Sequence, residues 1–286
     1  MAITCGIINK GLDIKNTLFT YHWYKEVAVP KNVARCFMKY SLPHLLVGVL
    51  TIHILCFFPS VGYAQDTSVA QAHMRVAQSP SPFAEKKHSI QTTETNYSIH
   101  IRYPSFSAVL VDTDIATWIH QRMTFFQEGL REIPYADPEY TSLFIDYEVT
   151  QTTLRCISLV FTIKAKTGSP SVEEGLFTMT YQAQEGRRLT LHDAFNNTEG
   201  LLDFLSTYCR RALIFRDWLS SPDSAFIYQG TTPNPINFMF FTISPDGLDI
   251  YFPPNQVAPS IEGSVKVFIP FTELSSFQPN SALWGK

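Results

Sequence analysis

Five histidines, two carboxylate pairs and two cysteines carry whatever side-chain chemistry the chain after Ala64 can perform. His73, His88, His100, His120 and His192 stand singly, and none has a second His, Asp or Glu at the spacing a zinc site uses. His192 and Asp193 are neighbours at an expected helix start, where adjacent side chains point apart. Asp193 reads there as a cap or a dipole partner. Asp137 with Glu139, and Glu173 with Glu174, have the residue types for glycoside chemistry. Both pairs are expected in loops beside Pro138 or Pro170, without the apolar surroundings that raise a carboxylate pKa. No GxSxG elbow and no GxxxxGK(S/T) or GxGxxG phosphate loop occurs. The sequence thus assigns no catalytic residue, no cofactor and no metal, and the expectation is a protein that is not an enzyme.

Two other sets of residues invite a role. Cys156 and Cys209 form an even pair, which an oxidising compartment permits to bridge; a small buried residue at each position is the alternative. Of two long irregular segments, 164–175 and 220–235, the second holds Phe226, Tyr228, Gln229 and Asn234 among prolines. Aromatic anchors and amides on a loop suit partner recognition. Alternatively, 220–235 is a surface crossover whose aromatics tuck onto a sheet.

The elements that must position these residues follow from periodicity. Residues 96–103 alternate, with Tyr97, Ile99, Ile101 and Tyr103 on one face. A helix is expected from about Asp112 to Gly129, with Ile115, Trp118, Ile119, Arg122 and Phe126 on one side to cover a sheet. Strands are expected at 143–149, with Asp146 and Glu148 outward, at 155–163, with Ile157, Leu159, Phe161 and Ile163 inward, and at 177–183. A second helix is expected over about 199–215, burying Leu201, Leu202, Leu205, Tyr208 and Leu213. Residues 237–274 then give two alternating strands around the Pro245-Asp246-Gly247 turn, a proline-bounded bend at 253–259 and a third strand. That stretch has no His or Cys, and its carboxylates are expected at turns or beside loops. Strands clustered around isolated helices make this an α+β fold, a mainly antiparallel sheet or sheets covered by two principal helices.

The front of the chain has a different character. Residues 38–64 read as a signal peptide: Lys39, an apolar run at 45–58, Pro59, then Gly62-Tyr63-Ala64 before Gln65. The run is shorter than the roughly 20 residues a spanning helix needs. Residues 1–37 are a long lead-in. Either translation starts at Met38, or the lead-in is a cytoplasmic tail and the apolar run an uncleaved membrane anchor. Residues 65–95 read as a polar linker, followed by lobes at 96–167 and 168–286. Of 22 Lys+Arg and 25 Asp+Glu, 6 and 2 precede Gln65, so the part after Ala64 is formally −7. It has no basic run, which excludes nucleic acid as the expected partner. A cationic partner is allowed.

Residues 246–274, DGLDIYFPPNQVAPSIEGSVKVFIPFTEL, carry a "DGL…YF…VAP…G…V.IP..EL" series. It closely resembles the C-terminal part of the extracytoplasmic domain of RsiV-type proteins, the lysozyme-sensing anti-sigma factors. YQAQEGRRLTLHDAFNN (181–197) resembles the strand, turn and helix start of that family. IHIRYPSF (99–106) and the helix after it resemble the N-terminal domain that precedes the catalytic unit of PdaC-type peptidoglycan deacetylases. No such catalytic unit occurs in these 286 residues. Where many RsiV-type proteins carry a "GGAHP"-like turn, this chain has KAKTGSPSVEEG (164–175), without the histidine. The resemblance implies an exported, periplasmic or extracellular, non-enzymatic envelope module whose partner is a cell-wall component or a cationic wall-lytic protein such as lysozyme. The alternatives are a membrane-anchored anti-sigma regulator, which needs residues 1–37 in the cytoplasm, and a peptidoglycan-modifying enzyme. N-terminal sequencing of the exported protein is expected to begin at Gln65; a chain that retains residues 1–37 would support the anchored form.

Overall fold

The computed structural model describes residues 83–133, 137–216 and 224–284. The chain divides into two units, 1–71 and 72–286, and every described residue belongs to the second. The lead-in, the expected signal segment, His73 and most of the expected linker lie outside the described residues. Among the described residues, no helix is long and apolar enough to cross a membrane.

Six strands make the larger sheet, in the order β1 (Lys86–Thr93), β2 (Ser98–Ser105), β3 (Thr141–Thr152), β4 (Cys156–Thr167), β5 (Glu173–Gln182) and β6 (Arg187–Arg188). All neighbours are antiparallel except β2 and β3, which run parallel. A parallel pair needs a crossover, and helix α1 (Val109–Gly129) supplies it. Trp118 of α1 stacks on Phe177 at 5.1 Å and lies 4.7 Å from Phe161, so the expected apolar stripe does cover the sheet. The helix starts three residues before Asp112. That carboxylate accepts a hydrogen bond from the Phe106 amide (2.7 Å) and closes the turn into the helix instead of capping it.

Two expectations about the sheet are corrected. β1 is built from residues expected to be linker; only His88, Ile90 and Thr92 are half-buried, so its alternation is faint and pairing with β2 defines it. Segment 164–175, expected as a long loop, is a hairpin in which β4 and β5 leave only 168–172 between them. Gly168, Pro170 and the serines gave it a loop composition, but Lys164 pairs with Glu174 across the strands at 2.8 Å. The larger sheet therefore runs across the expected division at 167/168.

A smaller antiparallel sheet follows: β7 (Phe241–Ser244), β8 (Gly247–Phe252) and β9 (Val265–Pro270). Helix α2 (Leu201–Ile214) buries Leu201, Leu205, Ser206, Cys209 and Leu213; Leu202 and Tyr208, expected inward, are only half-buried. Its apolar side joins Leu248, Ile250 and Phe252 of β8 in one cluster with Val265, Val267 and Ile269 of β9.

One edge of β7 pairs with β8, and the other meets side chains of the larger sheet. The Phe241 amide donates to Thr178 Oγ1 (3.1 Å), and the Ile243 amide donates to Ser158 Oγ (2.9 Å). Thr180 donates to the Phe241 carbonyl (3.5 Å), and Thr150 donates to the Ile243 carbonyl (2.9 Å). Ser158 and Thr180 also bond each other at 2.8 Å. Hydroxyls thus take the place of a neighbouring strand for all four main-chain groups. Ser158→Ala leaves the buried Ile243 amide without its acceptor. It is expected to cost about 1–3 kcal/mol in urea unfolding, whereas Ser89→Ala on exposed β1 should change stability by less than about 0.5 kcal/mol.

Candidate functional site

Of the expected irregular segment 220–235, residues 220–223 lie outside the described residues, and 224–235 are more regular than their prolines suggest. Residues 224–230 form a short helix, α3 (Ser224–Gly230), and Pro235–Phe238 form a single 3-10 turn capped by Asn234, whose Oδ1 accepts from the Ile236 amide at 3.1 Å. Ile227 is fully buried in the same cluster as α2, and it anchors α3. Gly230 packs so closely on the Gln256 carbonyl that a Cβ there would clash with backbone. Gln256 Nε2 then donates to the carbonyls of Gly230 (2.9 Å) and Asn237 (3.0 Å), fastening α3 to the 253–259 bend.

The four residues singled out from the sequence fall unevenly on this frame. Phe226 is half-buried. Tyr228 is 50% exposed, and Gln229 and Asn234 are exposed beside it in sequence. The Arg210 guanidinium lies 4.5 Å from the Tyr228 ring centroid, held by Ser206 Oγ (3.2 Å) and Thr231 Oγ1 (3.3 Å). Arg211 lies over Tyr208 at 5.6 Å. The result is an aromatic surface with one ring backed by a fixed cation.

A second feature was not visible in the sequence. A cavity of about 290 Å³ is lined by Arg155, Gln182, Gln184, Arg187, Leu189, Asp193, Asn280, Ala282 and Leu283. These come from the residue before β4, the β5–β6 hairpin and Leu189 after it, the short 3-10 turn Leu191–Ala194, and Asn280 with the helix α4 (Ser281–Trp284) that follows it. Thr190 and Asp193 make a reciprocal capping box, and Arg187 donates to Asp193 at 3.0 Å. These bonds hold the Asp193 carboxyl below the usual range despite partial burial. The capping role expected of Asp193 is present. The far wall is tied down as well: Gln151 donates to the Leu283 carbonyl (2.7 Å) and Trp284 Nε1 to the Gly247 carbonyl (3.2 Å). Only the Arg187-Arg188 pair hinted at this place, because the lining is scattered over more than a hundred residues.

Asp249 departs from expectation. It lies mid-strand in β8, 5% exposed, not at a turn. Burial raises its pKa, Lys266 at 3.7 Å lowers it, and the Glu148 charge raises it further. The neighbouring Tyr251 hydroxyl is 3.2 Å from Thr242. The other titratable residues remain apart. His88 bonds Ser105 at 2.8 Å and stacks on Tyr103, while His100, His120 and His192 are exposed. Glu173 and Glu174 are consecutive strand residues, not loop residues, and so face opposite sides. Asp137 accepts the Glu139 amide in a local turn. Cys156 and Cys209 are free thiols, both buried in the α2 cluster, and burial pushes both up to about 12. The bridge permitted by their even number is not formed, and both serve as small apolar residues. Among the described residues, no three His, Cys, Asp or Glu side chains are grouped to hold a metal ion.

This geometry has known counterparts. Residues 193–272 match the family model "Protein of unknown function (DUF3298)". The chain is also 24% identical over 178 residues to the peptidoglycan-N-acetylmuramic acid deacetylase PdaC of Bacillus subtilis (strain 168). That match covers 61% of this chain but only 37% of PdaC, so the chain spans little more than a third of that relative. Two crystal structures share the fold. A DUF3298 family member from Bacteroides fragilis has a TM-score of 0.52 at 15% identity, over 72% of this chain and 98% of that one. A DUF3298 family protein from Pseudomonas aeruginosa PAO1 has a TM-score of 0.51 at 10% identity, over 73% and 99%. At these identities they establish the architecture alone, and the α+β assignment agrees with them.

Because Asp249 binds its proton more tightly in the folded chain than in the unfolded one, ionising it costs stability. The loss sets in as pH rises through the unfolded carboxylate range, about 3.9, and is complete above the folded pKa. Asp249→Asn is therefore expected to raise Tm at about pH 7 and to leave it nearly unchanged at about pH 3, where both states carry the proton. An equal shift at both pH values would assign the effect to packing.

Proposed function

We propose that this protein is an exported, non-enzymatic module of the cell envelope that binds a cell-wall glycan through the surface around α3. One observation carries the reading: Tyr228 is a half-exposed ring, backed by Arg210 and set on a helix that Ile227 fixes in the core. A ring with one face fixed offers the other to the C–H face of a sugar at little ordering cost. The amide of Gln229 and Nδ2 of Asn234, without partners among the described residues, supply hydrogen bonds beside it. Likeness to a peptidoglycan deacetylase, together with the signal segment at 38–64, supports the wall as the place of action. A cationic wall-lytic protein of the lysozyme kind, the partner that the RsiV-type resemblance implies, fits this surface less well. Arg210 and Arg211 would repel it.

Co-sedimentation with insoluble peptidoglycan tests the proposal. The wild-type protein should pellet with the wall, and Tyr228→Ala should reduce the bound fraction by about tenfold, since stacked aromatic contacts of this kind carry roughly 1–2 kcal/mol. Its Tm should stay nearly the same because the ring is half outside the core. A parallel pull-down with lysozyme at low and moderate salt separates the partners. Capture of lysozyme without wall binding would overturn the glycan assignment, and failure of both would overturn the binding module.

A further inference from the structure

We propose that the cavity between the β5–β6 turn and the segment before α4 binds the oxyanion group, a carboxylate or phosphate, of a small hydroxylated ligand. The inference stands apart from the α3 surface and follows from which lining atoms remain free. Arg187 is already engaged: it donates to Asp193 Oδ1 (3.0 Å) and Gln182 Oε1 (3.0 Å), and its charge faces Glu185 at 3.9 Å. Gln182 spends its amide nitrogen on Glu185 (2.5 Å). Asp193 receives Arg187 on one oxygen and the amide and hydroxyl of Thr190 on the other (2.7 and 2.6 Å). Asn280 accepts from the Ala282 amide through Oδ1 (3.1 Å).

Three lining groups have no partner at all among the described residues: the Arg155 guanidinium, the Gln184 amide and Nδ2 of Asn280. Arg155 has five N–H donors and no acceptor, and Asn280 Nδ2 is a donor only, so Gln184 Oε1 is the single free side-chain acceptor. The only carboxylate in the lining is already neutralised by Arg187. The free capacity is therefore donor-rich and carries the unpaired positive charge of Arg155, in a part of the protein that is formally −7. Arg155 is exposed, and an oxyanion accepts from its guanidinium and a neighbouring amide together through charge-assisted bonds that a neutral ligand does not form. About 290 Å³ is at the lower end of ligand sites and suits a monosaccharide-sized molecule. Leu189, Ala282 and Leu283 leave an apolar patch for its carbon skeleton.

Calorimetric titration of the purified protein with inorganic phosphate, glucuronate, glucose 6-phosphate and glucose tests the assignment. Binding of glucuronate or glucose 6-phosphate, weakened by added salt and absent for glucose, is the expected result. The better of these two identifies the oxyanion, and inorganic phosphate reports how much the skeleton adds. Arg155→Ala should weaken the preferred probe at least about tenfold, the scale of one charge-assisted hydrogen bond. Asn280→Asp gives an independent readout: it keeps the acceptor for the Ala282 amide, replaces the free N–H donors with negative charge, and should abolish binding. No heat with any oxyanion, glucose binding as tightly as its charged analogues, or unchanged affinity in folded Arg155→Ala or Asn280→Asp would each overturn the proposal.

Discussion

The two sheets depend on one another through the open edge of β7. A strand whose outer amides and carbonyls lose water on folding must find partners for each, and an unpaired buried group costs on the order of 1–3 kcal/mol. Here four hydroxyls, from Thr150, Ser158, Thr178 and Thr180, stand where a fourth strand would otherwise be. Because these hydroxyls are fixed on three strands of the larger sheet, β7 has one register in which all its groups are satisfied. Placement of β8, β9 and α2 follows from that register. So does the position of Asp249, whose neighbour across the strands is Thr242 of β7.

Both candidate sites sit where irregular chain is fastened to this frame by main-chain and amide bonds. At α3 the fastening is Gln256, which bridges two carbonyls, and Gly230, which lets two stretches of backbone touch. At the cavity it is the Phe195–Pro279 bridge and the bond from the Asn280 amide to the Ala194 carbonyl at 2.9 Å, with Trp284 packed on Phe195 and Phe271. In each case a few side chains are left facing outward with their backbone already immobile. Groups positioned in this way lose little freedom when a ligand arrives.

Much of the frame was legible in the sequence because it obeys simple periods. Ile157, Leu159, Phe161 and Ile163 alternate as a strand should, and Ile115, Trp118, Ile119, Arg122 and Phe126 repeat as a helix face should. The failures have identifiable causes. β1 is a half-buried strand with a faint pattern, and its existence depends on β2. The β4–β5 hairpin was hidden by Gly168 and Pro170, which belong to its turn, and by charged residues that pair across it. Helix α3 is two turns long, too short for a period to show. The cavity was illegible in principle, since Arg155 and Asn280 meet only after the chain closes. The hydroxyl edge left a trace, Thr178 and Thr180 at alternate positions of β5 with Ser158 opposite Thr180, but strands commonly carry threonine for other reasons.

The parallel seam between β2 and β3 sets the order of assembly in time. Every other pairing in the larger sheet joins strands that follow one another through a turn, so hairpins β1–β2, β3–β4 and β4–β5 can each form locally within microseconds. The seam joins only Ser98–Ile101 to Ser142–Ile145, and it must wait until α1 has carried the chain across. It is the shortest of the long-strand ladders and closes the largest loop among the ladders of the larger sheet, so contact-order reasoning makes it the slow step in assembling that sheet.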